Sequence, residues 1–127
     1  MNTNGITGQV IDASINLHRD LGPGLLESVY EVCLYHELKE RGFEVERQVK
    51  VPIEYKGLKF DQGFVADIIV NNAVILELKS VQETSPVHKK QLLTYLKLMD
   101  NNVGLLLNFG EEVMKQGIHR VVNNYRD

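Results

Sequence analysis

The spacing of apolar positions changes along the chain, and each change marks a change of element. Val10, Ala13, Leu17 and Leu21 recur at helical spacing, with Ile11 and Ile15 widening the stripe. Gly22-Pro23-Gly24 breaks that helix, and a second is expected from about Leu26 to Arg41. Its apolar side should carry Leu26, Val29, Tyr30, Cys33, Leu34 and Leu38, with Gly42 as the stop. From Phe43 the period falls to two, as Phe43, Val45 and Val49 alternate with Glu44, Glu46 and Lys50 in a half-exposed strand. Pro52 interrupts or edges the next piece, and Tyr55-Lys56-Gly57-Leu58 reads as a hairpin turn. Two nearly continuous apolar strands follow, at about Phe64–Val70 and Val74–Lys79. Ser85-Pro86 opens a third helix through Leu92, Leu93, Leu96 and Met99 to about Asp100. Gly104–Phe109 and Gly117–Val122 are the last two strands. This order predicts an α/β domain with a central mixed sheet, flanking helices and an N-terminal helical pair.

Size and composition narrow the class without naming a function. A chain of 127 residues, 43% hydrophobic and 24% charged, suits one globular domain spanning residues 1–127. No apolar run reaches the length of a membrane span, and the polar start Met1-Asn-Thr-Asn lacks signal-peptide character, so a cytoplasmic protein with no membrane partner is expected. The one cysteine, Cys33, rules out an internal disulfide and a Cys-rich zinc site, and reads as a small core residue. The net charge of −3 does not announce nucleic-acid binding. Basic groups do cluster locally, at Arg41 to Lys59, at His88-Lys89-Lys90, and at Lys115, His119, Arg120 and Arg126. Solvated lysines on an ordinary surface explain them equally well.

The chemistry lies in the two apolar strands, where Asp67, Glu77 and Lys79 interrupt hydrocarbon. Charged groups enter a core only when paired or bound to a metal. Glu77 and Lys79 share a strand face with Ile75, and Asp67 is expected to share one with Val65 and Ile69, opposite Ala66 and Ile68. A two-residue Asn71-Asn72 loop would put Asp67 against Leu76. A three-residue loop including Ala73 would set Asp67 opposite Glu77, and an active site requires that parity. Two facing carboxylates repel one another, burial worsens the repulsion, and a divalent cation reverses it. Oxygen ligands of this kind suit magnesium, at about 2.0–2.1 Å. Lys79 would stand beside such an ion, able to orient a water or to meet charge on a phosphate. The competing reading is a salt bridge from Lys79 in a sheet open to solvent.

Glu27 lies at the start of the second helix, where a carboxylate is favourable whatever its further role. Gln91 and Tyr95 fall four residues apart on one face of the third helix, beside its apolar row. His18 is expected to be a hydrogen-bonded core or helix-end residue, and His88 and His119 to be solvated.

These residues resemble a known family. Gly24-Leu-Leu-Glu27-Ser-Val-Tyr30 reads as Gly-x-x-Glu-x-x-Tyr, the signature of the GxxExxY family, which is similar to the PD-(D/E)XK nuclease superfamily. The likeness extends over nearly the whole chain, from His18-Arg-Asp-Leu-Gly-Pro-Gly through Asp67, Glu77-Leu-Lys79 and Gln91–Tyr95 to Leu-Leu-Asn-Phe-Gly. It departs at Ala66, which stands where the motif has proline. The resemblance implies a restriction-endonuclease-like core. It implies Asp67 and Glu77 as metal-binding carboxylates, with the Leu78 carbonyl as a further ligand, Lys79 as the catalytic lysine and Glu27 as an added helical acid. Gln91 and Tyr95 resemble the Gln-x-x-x-Tyr element of the RecB-type branch. The implied function is Mg2+-dependent hydrolysis of DNA, with Mn2+ as substitute and a homodimer or protein partner supplying further contact. The alternatives are a nuclease-like binding module without turnover and a structural interaction protein whose acids form surface pairs.

Overall fold

The structure, a computed structural model, describes residues 1–125, and Arg126 of the C-terminal basic group lies outside the described residues. Helix α1 runs Thr3–Leu21, capped by Asn2, whose side chain accepts from the Gly5 N–H at 2.8 Å. Helix α2 is Glu27–Glu40 and helix α3 is Pro86–Met99. The start of α3 follows from its sequence: Ser85 accepts from the Val87 N–H, Pro86 fills the first turn, and His88 Nδ1 accepts from the Ser85 N–H at 3.2 Å. His88 is therefore a cap rather than a solvated side chain.

Five strands, β1 Val45–Tyr55, β2 Leu58–Val70, β3 Val74–Lys79, β4 Val103–Asn108 and β5 Ile118–Val122, form one sheet in chain order. Of these five strands only β3 and β4 run parallel to each other, and α3 is the crossover between them. Helices α1 and α2 cover one face, meeting Ile68, Val70, Leu76, Leu78, Leu105 and Leu107. Leu92 and Leu96 of α3 cover the other, against Ile69, Ile75 and Leu106. The central strands β3 and β4 are buried on both faces, which is why they read as continuous apolar runs.

Three expectations need correction. Strand β1 continues through Pro52, because β1 is an edge strand and the register shifts between Val51 and Ile53. Strand β2 begins at Leu58, so β1 and β2 form a long ribbon whose outer half is exposed. The packed side of α2 is Tyr30, Glu31, Leu34 and Leu38; Leu26 is 76% exposed, Val29 is exposed too, and Cys33 is half-buried.

Candidate active site

Asn71 and Asn72, both at positive φ, build the turn between β2 and β3 together with Ala73, a backbone state asparagine tolerates. Val70 pairs with Val74, Ile69 with Ile75 and Ile68 with Leu76. This is the three-residue-loop register, and its next step sets Asp67 opposite Glu77. Regular pairing stops there and the side chains replace it. Glu77 Oε1 accepts from the Asp67 N–H at 3.3 Å, and Asp67 Oδ2 accepts from the Leu78 N–H at 2.9 Å.

Asp67 also marks a turning point of the ribbon. Phe64 and Ala66 join Ile69 and Ile75 beneath α3, whereas Ile68 and Val70 face α1 and α2. Strand β1 changes face at the same level: Val45 packs under the helical pair, Val49 and Val51 under α3. Between them Gln48 takes φ +51. Strict alternation places Ala66 on the opposite face from Ile69; the structure overturns that expectation, because both strands change face at the level where Gln48 and Asp67 drop out of the pairing.

Glu77 is 7% exposed, and its pKa is pushed up to about 9, first by burial and then by the Asp67 charge; Lys79 opposes the rise without cancelling it. Glu27 is exposed at the first position of α2, yet shielding of its carboxyl and the Asp67 charge raise its pKa, with Lys79 opposing. Burial, then the Glu77 and Asp67 charges, raise the Tyr95 hydroxyl as well. Asp67, Glu77, Lys79, Glu27 and Tyr95 therefore share one electrostatic neighbourhood. Among the described residues no ion pair within 4.0 Å involves Asp67, Glu77 or Lys79, so the surface salt bridge is not what forms here.

The Gly-x-x-Glu-x-x-Tyr segment shows why these residue types recur at that spacing. Gly24, at φ +97, lets the loop after α1 turn into α2. The Tyr30 hydroxyl donates to the Gly22 carbonyl at 2.5 Å and accepts from the Leu25 N–H at 3.1 Å, while its ring stacks on Phe109 at 4.5 Å. Ser80, just after Lys79, donates to the Leu25 carbonyl at 2.7 Å. Tyr30 and Ser80 thus anchor the loop that presents Glu27. A cleft of about 330 Å3 opens beside it, lined by Gly24 to Glu27, Ser80 to Gln82 and Gly110.

From α3, Tyr95 stacks flat on Phe64, with centroids 3.9 Å apart and planes 3° from parallel. Gln91 lies one turn earlier and is exposed, and among the described residues no hydrogen bond joins it to the acids. His18 is buried, its Nε2 2.9 Å from the Glu111 carbonyl oxygen, as a helix-end residue should be. His119 is half-buried rather than solvated, with a lowered pKa from burial and from Lys89.

Residues 4–121 match the family model for the PD-(D/E)XK nuclease superfamily. The chain belongs to that superfamily. The mixed five-stranded sheet with three helices and an N-terminal helical pair is its restriction-endonuclease-like fold. No curated protein matches the chain. Superfamily membership supports a nuclease-like function on nucleic acid, and its nucleases generally use divalent metals. No helix among the described residues is long and apolar enough to cross a membrane.

The residues present suit a hard divalent cation. Both acids offer oxygen ligands, and a divalent cation would oppose the burial and the Asp67 charge that raise the Glu77 pKa. Among the described residues no three His, Cys, Asp or Glu side chains converge as a ready-made ligand group, so the acids available to such an ion are the facing pair, with Glu27 further out. Sequence reasoning missed Glu31, Arg47, Gln48, Phe64 and Ser80. Phe64 alone carried a signal, as an aromatic three residues before Asp67 on the same strand.

Proposed function

We propose that the protein is a magnesium-dependent nuclease that hydrolyses phosphodiester bonds in DNA. What carries this reading is the facing of Asp67 and Glu77, two acids set across a strand pair where packing alone would select hydrocarbon. Asp67, Glu77 and the Leu78 carbonyl hold the cation, with Glu27 completing the acidic set. A bound cation supplies neutralising charge at the phosphate and a water of lowered pKa. Lys79 aligns the attacking water and meets the charge that develops on the phosphate. Tyr95, fixed by Phe64, and Gln91 contact the substrate from α3. The protein works as one domain over residues 1–127, in the GxxExxY group and the RecB-type branch, on the strength of Gly24, Glu27, Tyr30, Gln91 and Tyr95. Mn2+ substitutes for Mg2+, the setting is the cytoplasm, and a second copy or a protein partner adds groove contact.

One observation favours a second reading. Each acid accepts a backbone hydrogen bond from the other's strand and no third acid joins them among the described residues, as in a nuclease-like binding module without turnover. Incubating purified protein with single- and double-stranded DNA, with Mg2+ or with EDTA, separates the two. Cleavage that EDTA abolishes supports the nuclease. Retention of DNA without cleavage, at any Mg2+ or Mn2+ concentration, supports the module.

A further inference from the structure

Glu31 follows Glu27 by one helical turn and shares its face of α2. It is 4% exposed, and both its oxygens are occupied. Arg47 Nη2 and Nε reach Oε2 at 2.9 and 3.1 Å, and Gln48 Nε2 donates to Oε1 at 2.8 Å. Arg47 also stands over the Tyr35 ring, one turn beyond Glu31, at 5.7 Å from the centroid. A carboxylate so engaged is ill placed to ligate a cation, and its burial needs another explanation.

That explanation lies in what the contact joins. Pairing between β1 and β2 runs from Val45↔Val70 to Arg47↔Ile68, omits Gln48 and Asp67, and resumes at Val49↔Ala66. Gln48 is the residue across from Asp67, and it sits at φ +51, where a side-chain-bearing residue is strained. The two residues that grip Glu31 are therefore this pivot and its neighbour. One buried acid ties the helix that carries Glu27 to the strand level that carries Asp67.

We propose that Glu31, Arg47 and Gln48 form a positioning clamp that fixes Glu27 relative to Asp67 and so sets the cation affinity of the site without touching the cation. The inference rests on the cation-binding reading above. It makes Glu31 a positioning residue that acts through Glu27, and that dependence is measurable.

The test is a double-mutant cycle in Mn2+ affinity, measured by calorimetry on the full chain, with thermal unfolding as a control for folding. Glu31→Gln should weaken Mn2+ binding about tenfold, the scale of outer-shell changes at metal sites. Gln48→Gly, which relaxes at φ +51 while losing the amide, should weaken it in the same direction and guards against a misfolded Glu31 variant. In a Glu27→Gln background neither change should cost further affinity. Equal losses with and without Glu27, or unchanged affinity in both folded variants, overturn the clamp and leave the cation site standing. A parent protein that binds no Mn2+ overturns both.

Discussion

Asp67 and Glu77 each accept a hydrogen bond from the other's strand. The Asp67 N–H reaches Glu77 Oε1 at 3.3 Å, and the Leu78 N–H reaches Asp67 Oδ2 at 2.9 Å. These bonds end the β2–β3 ladder and hold two carboxyl groups side by side. Backbone donors partly satisfy the oxygens, and a divalent cation would cancel the repulsion between the two carboxylates when both are ionised.

Stability without metal should therefore depend on pH through Glu77. Its carboxyl titrates near 4.5 when unfolded and near 9 when folded. Between those values the folded chain holds a proton that the unfolded chain has released, so stability falls as pH rises. The contribution is whole below about 4.5 and gone above about 9. Thermal unfolding in EDTA at several pH values should show a decline toward pH 9 that is reduced in Glu77→Gln. Equal pH slopes in the two proteins would refute the shift.

The same proton couples to metal binding. Near pH 7 the folded site carries it, and a cation must displace it, so Mn2+ uptake should release close to one proton. Calorimetry in buffers of different ionisation enthalpy measures that number. Release near zero would mean that Glu77 is already ionised or is not a ligand.

Much of this arrangement was legible in the sequence, for a physical reason. Strand parity is set by loop length, so the choice narrowed to two registers, and the three-residue Asn71-Asn72-Ala73 turn of the structure is the one that sets Asp67 opposite Glu77. The rotation at Gln48 was not legible, because glutamine gives no sign of positive φ and alternation assumes an untwisted ribbon. The burial of Glu31 was hidden because its partners, Arg47 and Gln48, come from a strand whose approach no helical period encodes. Leu26 and Val29 misled in the opposite sense: they extend an apolar stripe past the point where α2 leaves the sheet.

Lys79 separates chemistry from binding. Its ammonium makes no ion pair with the acids among the described residues, and it is half-buried at the end of β3. Lys79→Ala should lower DNA cleavage by about a hundredfold, the scale of removing one positive or hydrogen-bonding group from a transition state. Mn2+ affinity should not fall. A variant as active as the parent would defeat the role given to this lysine.

Tyr30 bears on stability and on activity together. Tyr30→Phe keeps the Phe109 stack but leaves the Leu25 N–H and the Gly22 carbonyl without the hydroxyl. The expected cost is about 1–2 kcal/mol, a fall of roughly 4–8 °C in thermal midpoint. Activity at a temperature where both proteins are folded should also drop, because the loop presenting Glu27 loosens. A lower midpoint with unchanged cleavage would confine Tyr30 to structure.

The claim beneath all of these is that Asp67 and Glu77 share one cation. Anomalous diffraction from crystals soaked in Mn2+ tests it most directly. The account predicts a peak bridging the two carboxylates and reaching the Leu78 carbonyl, absent in Asp67→Asn crystals. A manganese-bearing crystal with no peak between Asp67 and Glu77 would contradict it.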